Sequence, residues 1–349
     1  MIKGLSLFAN VGIAEFYLNE IGIEILVANE LLDKRANLYK YFHPNSNIIC
    51  GDITEKSIFN KVIEESKKLG CDFVMATPPC QGMSIAGKMD ENDSRNNLII
   101  KAVEIIKKLK PKYGLIENVP GFLTTYIKLN GEKILIPEYI KNELGDFYNI
   151  KFEILNSANH GTPQVRKRAF VLISSKKVGK ELNFPNKQKE ITVKEAIGHL
   201  PILESGEKSN IKYHEAKTHN KNHILWMKNT PSGKTAFENL IHYPKKNNGE
   251  KIKGFSTTYK RINWDKPAPT ITMSSGAISS QNNVHPGRKL ENGNYSDARV
   301  LTLKELFILT GLPENIEFPD WCSDNFIRQV IGEGVPPLLI KEILKDIKK

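Results

Sequence analysis

Thirteen residues, Asp72-Phe-Val-Met-Ala-Thr-Pro-Pro-Cys-Gln-Gly-Met-Ser84, constrain this chain more than any others. Phe73 to Ala76 is a short apolar run of the kind that fills a buried strand. It stops at Pro78 and Pro79, which fix the backbone and cannot donate to a sheet ladder. Cys80 follows at once, ahead of a polar loop containing Gly82. An open α/β sheet carries its chemistry outside the carboxyl ends of its strands, so a thiol at this point is a candidate nucleophile. A lone cysteine is more often a small buried apolar side chain. The rest of the chain has to decide between the two.

That rest alternates. Leu5 to Phe8 reads as a strand, and Ala9 to Ile13 turns into a helix ending near Gly22. Ile25 to Ala28 is a second strand ending in Asn29-Glu30, with a helix over Leu31 to Tyr41 behind it. Ile48 to Cys50 is a third, ending in Gly51-Asp52 and followed by a helix over Lys56 to Leu69. After the fourth strand, Phe73 to Ala76, the residues Leu98, Ala102, Ile105, Ile106 and Leu109 share one helical face, closed by Pro111. Tyr113 to Ile116 is the fifth strand and ends in Glu117-Asn118; Phe152 to Leu155 and Ala169 to Ile173 are the sixth and seventh. This alternation predicts an α/β fold: a doubly wound, mostly parallel, Rossmann-like sheet with helices on both faces.

Beyond Ser175 the periodicity is lost. Ser175 to Gly254 holds 16 Lys against 8 Glu, most of the net charge of +11. A polyanionic partner accounts for such an excess, and so does a solvated lysine-rich surface. His199, His214, His219, His223 and His242 have no regular spacing and no cysteine partner, so no metal site is expected. Cys50, Cys71, Cys80 and Cys322 show no C-x-x-C spacing, which fits reduced thiols and a cytoplasmic location. The opening MIKGLSLF shows no signal-peptide pattern, and no apolar run reaches membrane-spanning length. Thr302-Leu-Lys-Glu305 predicts a capped helix stopped by Gly311 and Pro313, and Leu338 to Ile347 predicts an amphipathic helix.

The strand ends supply the candidate site. Gly12 follows the first strand, where backbone approaches a ligand closely, and Glu30 ends the second, 18 residues on, near the spacing at which a carboxylate takes a ribose diol. Asp52 ends the third; either acid is equally a helix cap. The phosphate-binding G-x-G-x-x-G is absent, so a cofactor with ribose and base but no pyrophosphate fits better. Cys80 and Glu117 end neighbouring strands and can face one crevice, where a thiolate attacks and a buried glutamate holds a proton. Arg166 and Arg168 alternate ahead of the seventh strand and so point the same way, suited to a planar acceptor or a phosphate.

Together these residues make the chain resemble bacterial DNA (cytosine-5)-methyltransferases of restriction-modification type, over almost its whole length and in the family's motif order. The resemblance rests on Phe8-Ala9-x-x-Gly12, Glu30, Asp52, Pro78-Pro-Cys-Gln81, Glu117-Asn-Val119 and Gln164-x-Arg-x-Arg168. Lys266-Pro-Ala-Pro-Thr-Ile271 and Gly332-x-x-Val-Pro-Pro337 complete it. It implies S-adenosylmethionine as cofactor, no metal, and a cofactor pocket lined by Phe8, Gly12, Glu30, Asp52 and Pro79. It further implies covalent attack by Cys80 on C6 of a flipped-out cytosine, with Glu117 at N3 and Arg166 and Arg168 on the O2 side. The loop from Gly82 to Asn97 stands at the family's closing lid. Double-stranded DNA is the implied partner, bound by a monomer, with a cognate restriction endonuclease as a separate protein and no membrane.

By the same resemblance, residues 1–174 form the catalytic and cofactor-binding domain, 175–299 the target-recognition domain and hinge, and 300–349 helices returning to the catalytic domain. Ser6, Asn10, Ile13 and Glu333 depart from the family pattern, which has an acid, two glycines and an asparagine there. Asparagine tolerates a left-handed backbone; isoleucine does not. An RNA methyltransferase, a catalytically silent DNA-binding protein and a nicotinamide-dependent oxidoreductase are the alternatives.

Overall fold

The computed structural model describes residues 1–79, 98–129, 131–246 and 248–347. They fall into two compact units: Met1–Asn156, Lys167–Asn186 and Ile340–Lys349 make the first, Ser157–Arg166 and Lys187–Leu339 the second. Within the first unit, Lys341 pairs with Glu20 at 2.5 Å and Lys180 Nζ donates to Asp346 O at 3.0 Å.

The first unit is built on a seven-stranded sheet in the order β3-β2-β1-β4-β5-β9-β8. Its strands are β1 (Ile2–Leu7), β2 (Ile23–Glu30), β3 (Asn47–Cys50), β4 (Phe73–Ala76), β5 (Tyr113–Asn118), β8 (Tyr148–Asn156) and β9 (Lys167–Ser175). The first five in chain order pair in parallel, and β9 runs antiparallel to both β5 and β8. The order runs outward from β1 in both directions. Right-handed crossovers then put the connecting helices on opposite faces, which is the doubly wound arrangement.

Helices α1 (Asp33–Phe42), α2 (Lys56–Leu69) and α3 (Leu98–Leu109) supply those connections. On α3 the buried side chains are Ile99, Ala102, Val103, Ile105 and Ile106, and they join Val74, Ala76, Ile116 and Val171 of the sheet in one core. Each such aliphatic side chain contributes about 1.5–3 kcal/mol when fully buried.

Two parts of this unit differ from expectation. The segment after Gly12 forms no α-helix but two 3₁₀ turns, Ile13–Glu15 and Asn19–Ile21. Its bonds close over three residues, such as Leu18 N to Glu15 O at 3.0 Å, and Ile23 N then bonds Leu18 O at 3.0 Å to start β2 at once. A hairpin of β6 (Tyr126–Leu129) and β7 (Glu132–Leu135), followed by α4 (Ile136–Leu144), was not anticipated. The Asn130-Gly131 dipeptide between two apolar runs was the available signal.

The second unit has the short helices α5 (Val193–Ile197), α6 (Lys221–Lys228), α7 (Leu303–Thr310) and α8 (Asp324–Glu333), while α9 (Pro337–Leu344) begins in it and ends in the first. The capping box of Thr302 and Glu305 forms, and Gly311 closes α7 in the left-handed conformation. Its interior is partly ionic. Arg299 is buried against Asp297 at 2.9 Å and Glu305 at 2.8 Å, and buried Arg261 donates to the carbonyls of Met227, His285, Ser296 and Asp297. These arginines serve the fold.

Candidate active site

The carboxyl ends of β1, β2 and β3 are tied into one edge. Ala9 N donates to Asn29 O at 2.9 Å, Gly51 N to Glu30 O at 2.9 Å, and Asn29 Nδ2 to the carbonyls of Ile49 and Gly51. The turn after β1 is left-handed at Phe8 (φ 58°), Asn10 (φ 50°) and Gly12 (φ 75°). An aromatic residue at positive φ is strained, and such strain gathers at functional sites. Asn10 adopts the conformation expected of it, whereas Ile13 lies in a right-handed turn and needs no glycine.

Glu30 is buried, its Oε2 accepting from Asn10 N at 2.9 Å and its Oε1 from Leu32 N at 3.0 Å. Each carboxylate oxygen has two lone pairs, so these two bonds do not saturate it. Asp52 Oδ1 takes Thr54 N and Oγ1, both at 2.8 Å, and so closes the turn before α2. Gly12 needs its missing side chain for packing as well as for its φ: a Cβ there would stand 2.2 Å from His43 Nε2, which donates to Gly12 O at 2.9 Å.

The ends of β4 and β5 are joined in turn. Thr77 Oγ1 donates to Phe8 O at 3.1 Å, and Asn118 Nδ2 to Pro78 O at 3.0 Å, with Pro79 next in the chain, half-buried. Asn118 is thus a positioning residue for the double-proline turn, a role the sequence flagged only through its place beside Glu117. Cys80 and the loop Gly82 to Asn97 lie outside the described residues.

Glu117 and Arg168 come together. Arg168 Nε stands 3.1 Å from Glu117 Oε1, with side-chain exposures of 16% and 7%. The register sets Glu117 opposite Phe170, so Arg168 is its diagonal neighbour on the same face.

Arg166 is placed differently from the expectation that it faces the base with Arg168. It precedes β9, belongs to the second unit, and is buried. Its guanidinium donates to the carbonyls of Ile271 (3.1 Å), Gly332 (2.9 Å) and Glu333 (3.3 Å). The alternation argument fails because the chain at Arg166 is not strand: Gln164 and Val165 instead pair with Ala268, and Thr270 Oγ1 donates to Val165 O at 2.7 Å. Gly332 packs against the same segment so closely that a Cβ would lie 2.3 Å from Met273 N. Three of the short sequence strings therefore meet in one knot within the second unit. Gln164, whose Oε1 accepts from Ile271 N at 3.2 Å, is part of it.

The description "C-5 cytosine-specific DNA methylase" matches residues 2–349 of this chain. The chain belongs to that family. The methylase is 51% identical over 351 residues to the type II methyltransferase M1.HgaI of Avibacterium volantium, covering 99% of this chain and 98% of that one. It is 29% identical to M1.HphI of Haemophilus parahaemolyticus, covering 99% and 86%. The structure of the Entamoeba histolytica methyltransferase EhMeth superposes with a TM-score of 0.66 at 18% identity, over 100% and 99% of the two chains, so the methylase has that fold. Among the described residues no group of three or more His, Cys, Asp or Glu is placed to hold a metal ion. Within them, no helix is long and apolar enough to cross a membrane.

Proposed function

We propose that this methylase transfers a methyl group to C5 of a cytosine flipped out of double-stranded DNA, through a bond between Cys80 and C6. The observation that carries the reading is the pairing of buried Glu117 with Arg168 in a C-5 cytosine-specific DNA methylase. A carboxyl and a guanidinium side by side complement N3 and O2 on one edge of a cytosine.

Cytosine C5 is a poor nucleophile. Attack of the Cys80 thiolate on C6 turns the ring into an enamine, while Glu117 protonates or hydrogen-bonds N3 and Arg168 donates to O2. C5 then takes the methyl group, and loss of its proton and of the cysteine restores the ring. S-adenosylmethionine, when bound, supplies that methyl group as an electrophilic sulfonium substituent. Glu30 fits its ribose through the lone pairs left on each oxygen, and Phe8, Gly12, Asp52 and Pro79 complete the pocket. A stacked base is out of reach of these groups, so the cytosine has to be extruded.

In this reading the first unit carries catalysis, and the irregular basic part of the second reads the target, with lysines on phosphates and polar side chains on base edges. The type II methyltransferase relatives support a protective role in a restriction-modification system; the reading adds a separate endonuclease and a methylase acting as a monomer on DNA in the cytoplasm.

Duplex DNA carrying 5-fluorocytosine tests the mechanism. With S-adenosylmethionine, the wild-type protein should form an adduct stable to denaturation. Cys80→Ser should form none while keeping near wild-type cofactor affinity. No adduct on any duplex, or an adduct with Cys80→Ser, would sink the assignment; an adduct on transfer RNA alone would move the substrate to RNA.

A further inference from the structure

The turn after β1 is held in a strained shape. Phe8, Asn10 and Gly12 are all left-handed, and the first two carry a Cβ. Such a backbone persists only where its surroundings over-determine it. From one side it is tied to β2, by Ala9 N to Asn29 O at 2.9 Å and by Asn10 N to Glu30 Oε2 at 2.9 Å.

A group that the proposed reaction does not use holds it from the other side. His43, the residue that closes α1, places Nε2 2.9 Å from Gly12 O, and Glu15 N reaches the same carbonyl at 3.1 Å. A carbonyl can only accept, so Nε2 carries the proton. The imidazole is fixed in turn. Its centroid lies 4.7 Å from that of Tyr39 and 5.6 Å from that of Phe16, and the buried Tyr39 hydroxyl bonds the buried carboxyl of Glu15. A Cβ on Gly12 would stand 2.4 Å from His43 Cδ2 and 2.9 Å from Tyr39 Cε2, so turn and rings are in close contact. The stretch from Glu30 to His43 thus grips the turn twice: its first residue takes Asn10 N and its last takes Gly12 O.

We infer that His43 is a positioning residue for the cofactor. Its bond to Gly12 O, kept in place by Tyr39 and Glu15, holds the Phe8–Gly12 turn in the shape that receives S-adenosylmethionine. The inference rests on the cofactor pocket proposed above. A turn already held in its binding shape need not be ordered when the cofactor arrives, which raises affinity. His43 acts through the Gly12 carbonyl and takes no part at the base. Its loss therefore falls on cofactor binding and KM rather than on kcat.

Two variants separate the bond from the ring. His43→Phe keeps an aromatic ring between Tyr39 and Phe16 and removes the donor, whereas His43→Gln loses the ring and keeps an amide N–H at similar reach. Titration calorimetry with S-adenosylhomocysteine reads affinity without turnover. His43→Phe should bind it about 3–10-fold more weakly than wild type, and His43→Gln within about twofold. The KM of His43→Phe for S-adenosylmethionine should rise by a similar factor, with kcat at saturating cofactor changed by less than about twofold. Wild-type affinity in His43→Phe, whatever its Tm, overturns the inference. Equal weakening in both variants would assign the effect to ring packing and overturn the role of the bond, and a fall in kcat at unchanged affinity overturns it too. Wild-type protein that binds neither S-adenosylhomocysteine nor S-adenosylmethionine would fail the proposed cofactor pocket itself, and the role of His43 with it.

Discussion

Glu117 and Arg168 meet across β5 and β9, Nε to Oε1 at 3.1 Å, on strands that run antiparallel. The reversal of β9 within an otherwise parallel set places an arginine from late in the chain diagonally across from a glutamate at a strand end. Both groups are largely out of water.

Glu117→Gln keeps the size of the side chain and removes its acid. A loss of about 10²–10⁴-fold in the methyl-transfer rate is expected, with cofactor affinity retained. Arg168→Ala should also lose the rate, since it removes the guanidinium beside Glu117. Single-turnover rates and cofactor titrations decide this. A wild-type rate in Glu117→Gln would remove the residue from the mechanism.

Arg166→Ala should behave differently from Arg168→Ala. It strips the donors from Ile271 O, Gly332 O and Glu333 O inside the second unit. Buried carbonyls left without a donor cost about 1–3 kcal/mol each, so the Tm should fall, with the rate at a permissive temperature reduced far less than by Arg168→Ala. An unchanged Tm together with a lost rate would return Arg166 to the base.

These two arginines mark how far the sequence could be read. Apolar runs ending in prolines or acids were enough to find β1 to β5, because buried strands and their stops are local signals. Glu117 and Arg168 stood out as charged residues at strand ends, and the structure brings them into contact. The role of Arg166 was not, because its partners lie 105 to 167 residues away and no local period reports them. The 3₁₀ turns after Gly12 escaped for a related reason: composition there allows a helix, and only the early start of β2 forbids one.

Acid should weaken the second unit before its carboxylates titrate. Val300 N donates to His219 Nε2 at 3.2 Å, and burial, aided by His223 and Lys217, lowers the pKa of His219 to about 4. His285 is pushed well below its usual range by burial and by Arg299, Arg261 and Arg288, while its Nδ1 accepts from Gly287 N at 3.1 Å. Both are neutral in the fold, whereas an unfolded histidine protonates at about 6.5. The unfolded state therefore binds more protons below that pH. Stability is fully present above about pH 6.5 and is lost as pH falls toward the folded values. Thermal melts between about pH 7.5 and 5 should show a falling Tm; a flat profile would contradict this assignment.

The central claim is most directly tested by bisulfite sequencing of unmethylated plasmid DNA after incubation with the protein and S-adenosylmethionine. Protected cytosines confined to one recurring sequence context are predicted, and their loss with Cys80→Ser. Complete conversion at every cytosine, with cofactor binding independently demonstrated, would contradict sequence-specific C5 methylation of DNA.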